Sequence, residues 1–284
     1  MLSIVILTCK SRKHIQACLD SIFIQDLCDT EVIVVDNASA DGTKEWIRER
    51  WPRVRLIENQ SNLGASKARN QGIELSSGEW VLALDSDVVL ENGFIEKFNA
   101  PRSRFAGDMG MVQPNVLNGG GKTIYSQGIY LSLLRRFFDL NRGKPRDFVG
   151  SRKKKIIGPC SAAAFYRRSM LEALKEKTGY FDERFFFLVE DADLAWRAKR
   201  AGWKVLFDPR MVCFHTGNSS ATNAKLRQYL SFRNRHWMIA KNESFWGKIF
   251  LFVISLPYEL ARIVFMALFN KYLWTSGFRG EAAT

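Results

Sequence analysis

Two carboxylates one residue apart, Asp85 and Asp87, directly follow the apolar run Trp80-Val81-Leu82-Ala83-Leu84, which reads as a buried strand. Open α/β sheets build their sites at the carboxyl ends of their strands. Hard divalent cations take oxygen ligands and bridge phosphate oxygens, so paired acids there could hold a hydrated cation together with a ribose or a phosphate. A diphosphate leaving group needs such a clamp. A lone Asp-x-Asp is more often a turn at a strand end, and the weight therefore rests on what accompanies it.

Three other groups do. The β-branched run Glu31 to Asn37, EVIVVDN, ends on Asp36, and a first strand from Ser3 ends on Thr8. Asn62 to Gly72, NLGASKARNQG, reads as a turn entering a helix, offering N-terminal amides with Lys67 and Arg69 to a phosphate-bearing ligand. Glu190-Asp191-Ala192-Asp193 opens a segment with Leu194, Ala198 and Ala201 at helical spacing, late cations Arg197, Lys199 and Arg200, and Gly202 as a stop. Acids at a helix start ordinarily answer the helix dipole. One that faces a cleft behind the run Phe185-Phe186-Phe187-Leu188-Val189, shielded from water, would have its pKa raised toward general-base use. Spacing does not say which of the three faces inward.

In order, the blocks VVDNAS, NLGASKARNQG, LDSD, GPCSAAAFYRRSM, GYFDERFF, EDADLAWRAKRAGW and FDPRMVCFHTG span about Leu2 to Gly217. This series resembles family-2 glycosyltransferases of the GT-A fold, and its later blocks look most like the rhamnosyltransferase branch of polysaccharide assembly enzymes. The resemblance implies that Asp36 contacts the donor base, Arg69 supports the nucleotide, Asp85 lies by the ribose and Asp87 ligates Mg²⁺ or Mn²⁺. Thr8, Asn62 and Lys67 join the donor-binding set. Asp191 is the implied catalytic base and His215 a second metal ligand, neutral imidazole being a common one. Glu190, Asp193 and Arg233 are weaker candidates for lining the site or meeting the acceptor. The implied reaction is inverting transfer of a hexosyl group from a dTDP- or UDP-linked sugar, rhamnose first among candidates, to a hydroxyl.

The elements that must position these residues fit one α/β catalytic domain with a mixed, largely parallel sheet over residues 1–240, followed by a helical segment over 241–284. With 284 residues the chain can bury a full core. Five cysteines without Cys-x-x-Cys spacing indicate neither a disulfide framework nor a zinc site. Leu2 to Leu7 is too short for a signal peptide and serves better as a strand. A nicotinamide-dependent oxidoreductase should carry Gly-x-Gly-x-x-Gly after the first strand, where this chain has Thr8-Cys9-Lys10-Ser11-Arg12. A non-catalytic membrane scaffold would have no use for Asp85, Asp87, Asp191 and His215 together.

The formal net charge is +13, and Arg135 to Lys155 carries nine Lys or Arg against two Asp. With Gly143, Pro145 and Gly150 this row reads as a mobile basic loop facing an anionic lipid surface or a diphosphate-bearing acceptor. Nucleic acid is not expected, since no recognisable binding module or stacking motif accompanies the charge. Phe245 to Trp274 is apolar and aromatic, broken at Lys248, Pro257, Glu259, Arg262 and Lys271. Its uninterrupted stretches are shorter than the roughly 20 residues of a spanning helix. An interfacial helix, or a pair broken at Pro257, is expected, with a homo-oligomer interface as the alternative use. Together these readings place the chain at the cytoplasmic face of the membrane, acting on a lipid-linked saccharide.

Overall fold

The computed structural model describes residues 1–102, 105–148, 155–217 and 223–274. Strand β1 (Leu2–Thr8) is followed by helix α1 (Ile15–Phe23), β2 (Thr30–Asp36), α2 (Thr43–Arg50), β3 (Arg55–Glu58), α3 (Ala65–Leu75) and β4 (Trp80–Asp85). These strands pair in parallel in the order β3-β2-β1-β4. Their side chains alternate between two faces, as the pleat requires. Ile4, Ile6, Leu82 and Leu84 enter one core cluster, which α1 also joins, while Val5, Val81 and Ala83 enter the other. Burial on both faces explains why β1 and β4 read as continuous apolar runs.

The second half adds β5 (Val88–Leu90), α4 (Phe94–Arg102), β6 (Met109–Asn118), β7 (Ile124–Ser126), β8 (Ile129–Leu131) and β9 (Phe137–Asp139). Then come β10 (Ala163–Arg167), α5 (Arg168–Leu174), α6 (Glu190–Arg200), β11 (Lys204–His215), α7 (Ala224–Asn242) and α8 (Phe245–Phe269). Strand β10 inserts antiparallel between β4 and β6, β11 runs parallel to β6, and β5 closes the far edge antiparallel to β11. The sheet is thus mixed, with a parallel N-terminal half.

Register places the chemistry. Thr8 lies opposite Asp36 and Leu7 opposite Asp85, so β1, β2 and β4 end side by side. Strand β5 begins one residue after Asp87, and its pairing sets Val88 against His215. Two acids from the middle of the sheet thereby meet a histidine from its far side.

Two expectations change. The first part of the basic row is not a free loop: β9 pairs with β8, Arg135 bonds Glu243 at 2.5 Å, and Arg142 bonds Asp139 at 2.7 Å while stacking on Tyr125. Arg152, Lys153 and Lys154 lie outside the described residues. The tail is not a pair of helices broken at Pro257, because α8 runs through that proline for 25 residues. Proline removes one backbone bond, and the turns on either side keep theirs. By length and composition α8 is long and apolar enough to cross a membrane. Asp193 bonds Lys241 and Asn242 of α7 at 3.0 and 2.6 Å, so the boundary drawn at residue 240 falls within a helix tied to α6.

Candidate active site

At the carboxyl ends of β1 and β2, Asp36 is fully buried and one of its oxygens accepts the Ser39 amide at 2.9 Å. Its other oxygen and the Thr8 hydroxyl are buried without a hydrogen-bond partner among the described residues. Burial raises the Asp36 pKa, partly offset by the Ser39 bonds. Unpaired polar groups at such a depth carry a desolvation cost, the kind of feature a bound ligand relieves. An amide network beside them shapes the entrance to α3. Asn37 donates to Asn62 at 2.7 Å and accepts from the Leu63 amide, and Asn62 accepts from the Gly64 amide. Asn62 thus acts through its backbone loop, holding the turn.

Arg69, buried on α3, is the centre of the next layer. It donates to Asp85 at 2.8 Å and to Glu190 at 2.7 Å, joining the end of β4 to the start of α6. Charge from both acids holds its guanidinium protonated. Burial pushes the Glu190 pKa up, and Arg69 opposes that push. Removing one member of a buried pair leaves an uncompensated charge. Arg69→Met should therefore destabilise the fold by about 3–5 kcal/mol in chemical denaturation, and Arg69→Met with Glu190→Gln should recover much of the loss. Equal losses in the single and double variants would show that the pair does not act as a unit.

Asp191, the next residue along α6, is half-buried. One carboxylate oxygen accepts the Ser161 amide at 3.1 Å. Burial, then the neighbouring Glu190, raises its pKa from 3.8 to about 7. Two adjacent acids are thus given different partners: Glu190 is bound to an arginine and Asp191 to a neutral amide. A carboxyl titrating near neutral pH can take up and release a proton there.

Asp87 and His215 form the third part. Between the two acids of the β4 end, Ser86 turns inward and bonds Ser11 at 2.8 Å, which fixes the turn. One Asp87 oxygen lies 3.1 Å from His215 Nε2 and the other accepts the Gly217 amide at 3.0 Å. Tyr125 packs edge-on against the imidazole, ring centres 4.3 Å apart. Ligand atoms of Asp85, Asp87 and His215 all lie within 4.8 Å of one another. Two carboxylates and an imidazole converging in this way fit an oxygen-preferring divalent cation that tolerates one nitrogen.

Other candidates stand elsewhere. Lys67 is half exposed and reaches Glu183 at 3.8 Å. Asp193 is fully buried in a structural network with Arg197, Lys241 and Asn242. Arg233 stacks on Trp237 and donates to the Phe185 carbonyl at 3.3 Å. The α3 N-terminus does not offer its first amides to a phosphate, because the Ala65 and Ser66 amides both bond the Phe186 carbonyl, at 2.6 and 3.3 Å. A methyl group at Gly64 would stand 2.6 Å from that oxygen at a φ of +84°, so Gly64→Ala should lower stability by about 1–3 kcal/mol in thermal or chemical unfolding.

The Phe-rich segment before α6 is strained rather than extended, with Phe186, Leu188 and Val189 all at positive φ. Fully buried Asn234 of α7 pins it, donating to the carbonyls of Phe185, Phe187 and Leu188 at 2.8–2.9 Å. Asn37 and Ser161 lie within the sequence blocks VVDNAS and GPCSAAAFYRRSM, with nothing local to mark their roles. The triplet Arg233-Asn234-Arg235 reads from sequence as facing either the cleft or the surface, and its middle residue is the one turned onto the segment before α6.

The sequence profile described as glycosyl transferase family 2 matches residues 3–175. An N-acetylglucosaminyl-diphospho-decaprenol L-rhamnosyltransferase of Mycobacterium tuberculosis is 27% identical over 273 residues, covering 87% of each chain. A low-salt glycan biosynthesis hexosyltransferase, Agl10 of Haloferax volcanii, is 25% identical, covering 86% of this chain and 76% of its own. Among solved structures, a mannosyltransferase from Pyrobaculum calidifontis in complex with GDP-Man and Mn²⁺ superposes at a TM-score of 0.57 with 18% identity, covering 95% of this chain and 75% of its own. Residues 1–349 of S. aureus TarS in complex with UDP give 0.59 with 20% identity, and this chain, 86% covered, spans 66% of that one. With its mixed α/β GT-A fold and its matched sequence blocks, the chain belongs to glycosyl transferase family 2.

Proposed function

We propose that this glycosyltransferase inverts the anomeric centre of a nucleoside-diphosphate sugar while transferring it to a hydroxyl of a lipid-linked saccharide during glycan assembly. The observation that carries the reading is the convergence of Asp85, Asp87 and His215, joined through Arg69 to Glu190, the residue next to Asp191 at the start of α6. The nucleoside lies along the ends of β1 and β2, where Thr8 and Asp36 have unpaired polar groups. Asp85, oriented by Arg69, faces the ribose. A Mg²⁺ or Mn²⁺ ion on Asp87 and His215, with Asp85 beside it, would offset the charge that develops on the diphosphate.

Asp191 takes the proton of the acceptor hydroxyl as the oxygen bonds to the anomeric carbon. The bond from that carbon to the diphosphate oxygen breaks on the opposite face, and the nucleoside diphosphate leaves with the electron pair. Ser161 holds the Asp191 carboxylate in orientation by its amide. The mycobacterial relative's name supports a rhamnosyl group and an acceptor carried on a polyprenyl diphosphate; the donor nucleotide expected from the sequence is dTDP or UDP. The exposed apolar face of α8 supports a monotopic membrane site, and we keep that site at the cytoplasmic face expected from the sequence.

A donor panel with Mn²⁺ or Mg²⁺ tests this directly. Thermal stabilisation by one nucleotide sugar, followed by release of its nucleoside diphosphate when a lipid-diphosphate saccharide is added, is the expected result. Stabilisation that is unchanged by chelator, or no release with any donor and acceptor pair, would reject it.

A further inference from the structure

Between α7, α8 and the β8–β9 hairpin lies a pocket of about 280 Å³ lined by Arg136, Phe137, Ser231, Arg235, Tyr258 and Arg262. Its arginines are not equivalent. Arg235 is buried and committed: it donates to Glu259 at 2.6 Å and to the carbonyls of Leu134 and Arg135. His236 lies 3.1 Å from the other Glu259 oxygen, so the acid that meets Arg235 is engaged from two sides, and no acid is among the lining residues. Arg136 and Arg262 both stack on Tyr258, at 5.2 and 5.6 Å from its ring centre, and each also covers a phenylalanine. Neither has a carboxylate partner among the described residues. Two guanidinium groups are thus held in place by aromatic faces with their N–H edges uncommitted, an arrangement suited to bidentate recognition of a phosphate.

The surroundings say which phosphate. Tyr258 and Arg262 stand one turn apart on α8, beside the inner stripe of Leu251, Ser255 and Met266 that is buried against the protein. The other face of the same helix exposes Val253, Leu260, Val264 and Leu268. A ligand that reaches the arginines along α8 passes apolar surface on one side and meets positive charge at its border. A soluble nucleotide has no use for the first feature. An acyl-chain lipid with an anionic headgroup uses both.

We propose that Arg136 and Arg262 form a headgroup site for the phosphate of an anionic glycerophospholipid, which docks the catalytic domain in a fixed orientation on the membrane. The site rests on the membrane reading of α8 given above. A second cavity, by Arg135 and Trp196, is less suited, since Arg135 is paired with Glu243 and Arg200 bonds the Asn242 carbonyl.

The full-length protein should be sedimented with phosphatidylcholine vesicles and with vesicles containing one quarter phosphatidylglycerol. Wild-type protein should bind both and prefer the second. Two cations near an anionic surface contribute about 1 kcal/mol each, so Arg136→Gln with Arg262→Gln should weaken binding to the phosphatidylglycerol vesicles by about 10–30-fold. Binding to phosphatidylcholine alone should hold. Lys248→Gln with Lys271→Gln removes the same charge from the same helical region outside the pocket and should cost much less. Arg136→Lys with Arg262→Lys keeps the charge, loses the planar fork and should fall between; it also decides the matter if the glutamine pair folds poorly. Equal losses in the two glutamine pairs, or a lysine pair that binds like wild type, would reduce the pocket to diffuse charge and overturn the proposal. Wild-type protein that binds neither vesicle would instead reject the membrane reading of α8, and with it the site. The assay needs no turnover, so neither result depends on the transfer reaction.

Discussion

Asp87→Ala is expected to abolish turnover, by ~10³-fold or more given what a transition-state charge stabiliser supplies, and to remove metal-dependent nucleotide binding in the same step. The coupling follows from position. Asp87 meets His215 at 3.1 Å on one oxygen and the Gly217 amide on the other, so one carboxylate both belongs to the Asp85, Asp87 and His215 cluster and holds the chain just after β11. Alanine removes both roles, whereas Asp87→Asn keeps an oxygen for the Gly217 amide and removes the charge. If charge is what matters, the two variants should be equally inactive while Asp87→Asn keeps the wild-type melting temperature. His215→Ala should give a milder loss, about 10–100-fold, if the imidazole tunes the cation rather than holding it alone. Isothermal titration of nucleotide with and without Mn²⁺ reads the binding half. Full activity in excess chelator, or an unchanged metal response in Asp87→Asn, would remove the cation from the mechanism.

This site was legible in sequence to the extent that strand ends are. Apolar runs place β1, β2 and β4, and the residues that end them, Thr8, Asp36 and Asp85, come together because parallel neighbours in register end together. His215 was legible through its block, although its meeting with Asp87 depends on β5 pairing with β11. What remained hidden depends on partners distant in the chain. No local spacing reveals that Phe186 occupies the α3 amides, or that Arg69 selects Glu190 from 121 residues away. The three acids of α6 look alike in sequence. They separate only because Arg69, Ser161, and Lys241 with Asn242 approach from different elements.

The tail shows the same limit from the opposite side. Pro257 reads as a helix break because it lacks an N–H, and Glu259 and Arg262 as breaks in the apolar run because a lone charge is costly on an apolar surface. In the fold, Glu259 is held by Arg235 and His236 of α7, and Arg262 stacks on Phe232 and Tyr258. Charged residues that interrupt the apolar run here attach the helix to its neighbour. Exposed apolar surface then concentrates on the opposite face of α8, in a patch of the kind that marks an interaction surface.

Asp191→Asn separates chemistry from binding. A base acts in the transition state and contributes little to holding the donor, so kcat should fall by about 10²–10⁴-fold with donor affinity nearly unchanged. The asparagine side chain still accepts the Ser161 amide, which keeps the α6 start in place. The pH profile adds a second signature. Asp191 must be ionised to accept a proton, and with its pKa raised from 3.8 to about 7, wild-type activity should rise with pH through about 7. That acid limb should vanish from the residual activity of Asp191→Asn. Stability should move the other way: a carboxyl whose folded pKa lies above its unfolded value binds more protons when folded, so wild-type stability falls as pH rises from about 4 to about 7. Asp191→Asn should flatten that fall and match or exceed wild-type stability at alkaline pH. Glu190→Gln should behave differently, since it takes one of two carboxylates from buried Arg69, leaving Asp85 alone, and costs stability at every pH where wild-type Glu190 is ionised. If Asp191→Asn retains full activity while Glu190→Gln folds normally and is inactive, the base is the neighbouring carboxylate, and Arg69 is then its proton-state partner rather than a brace.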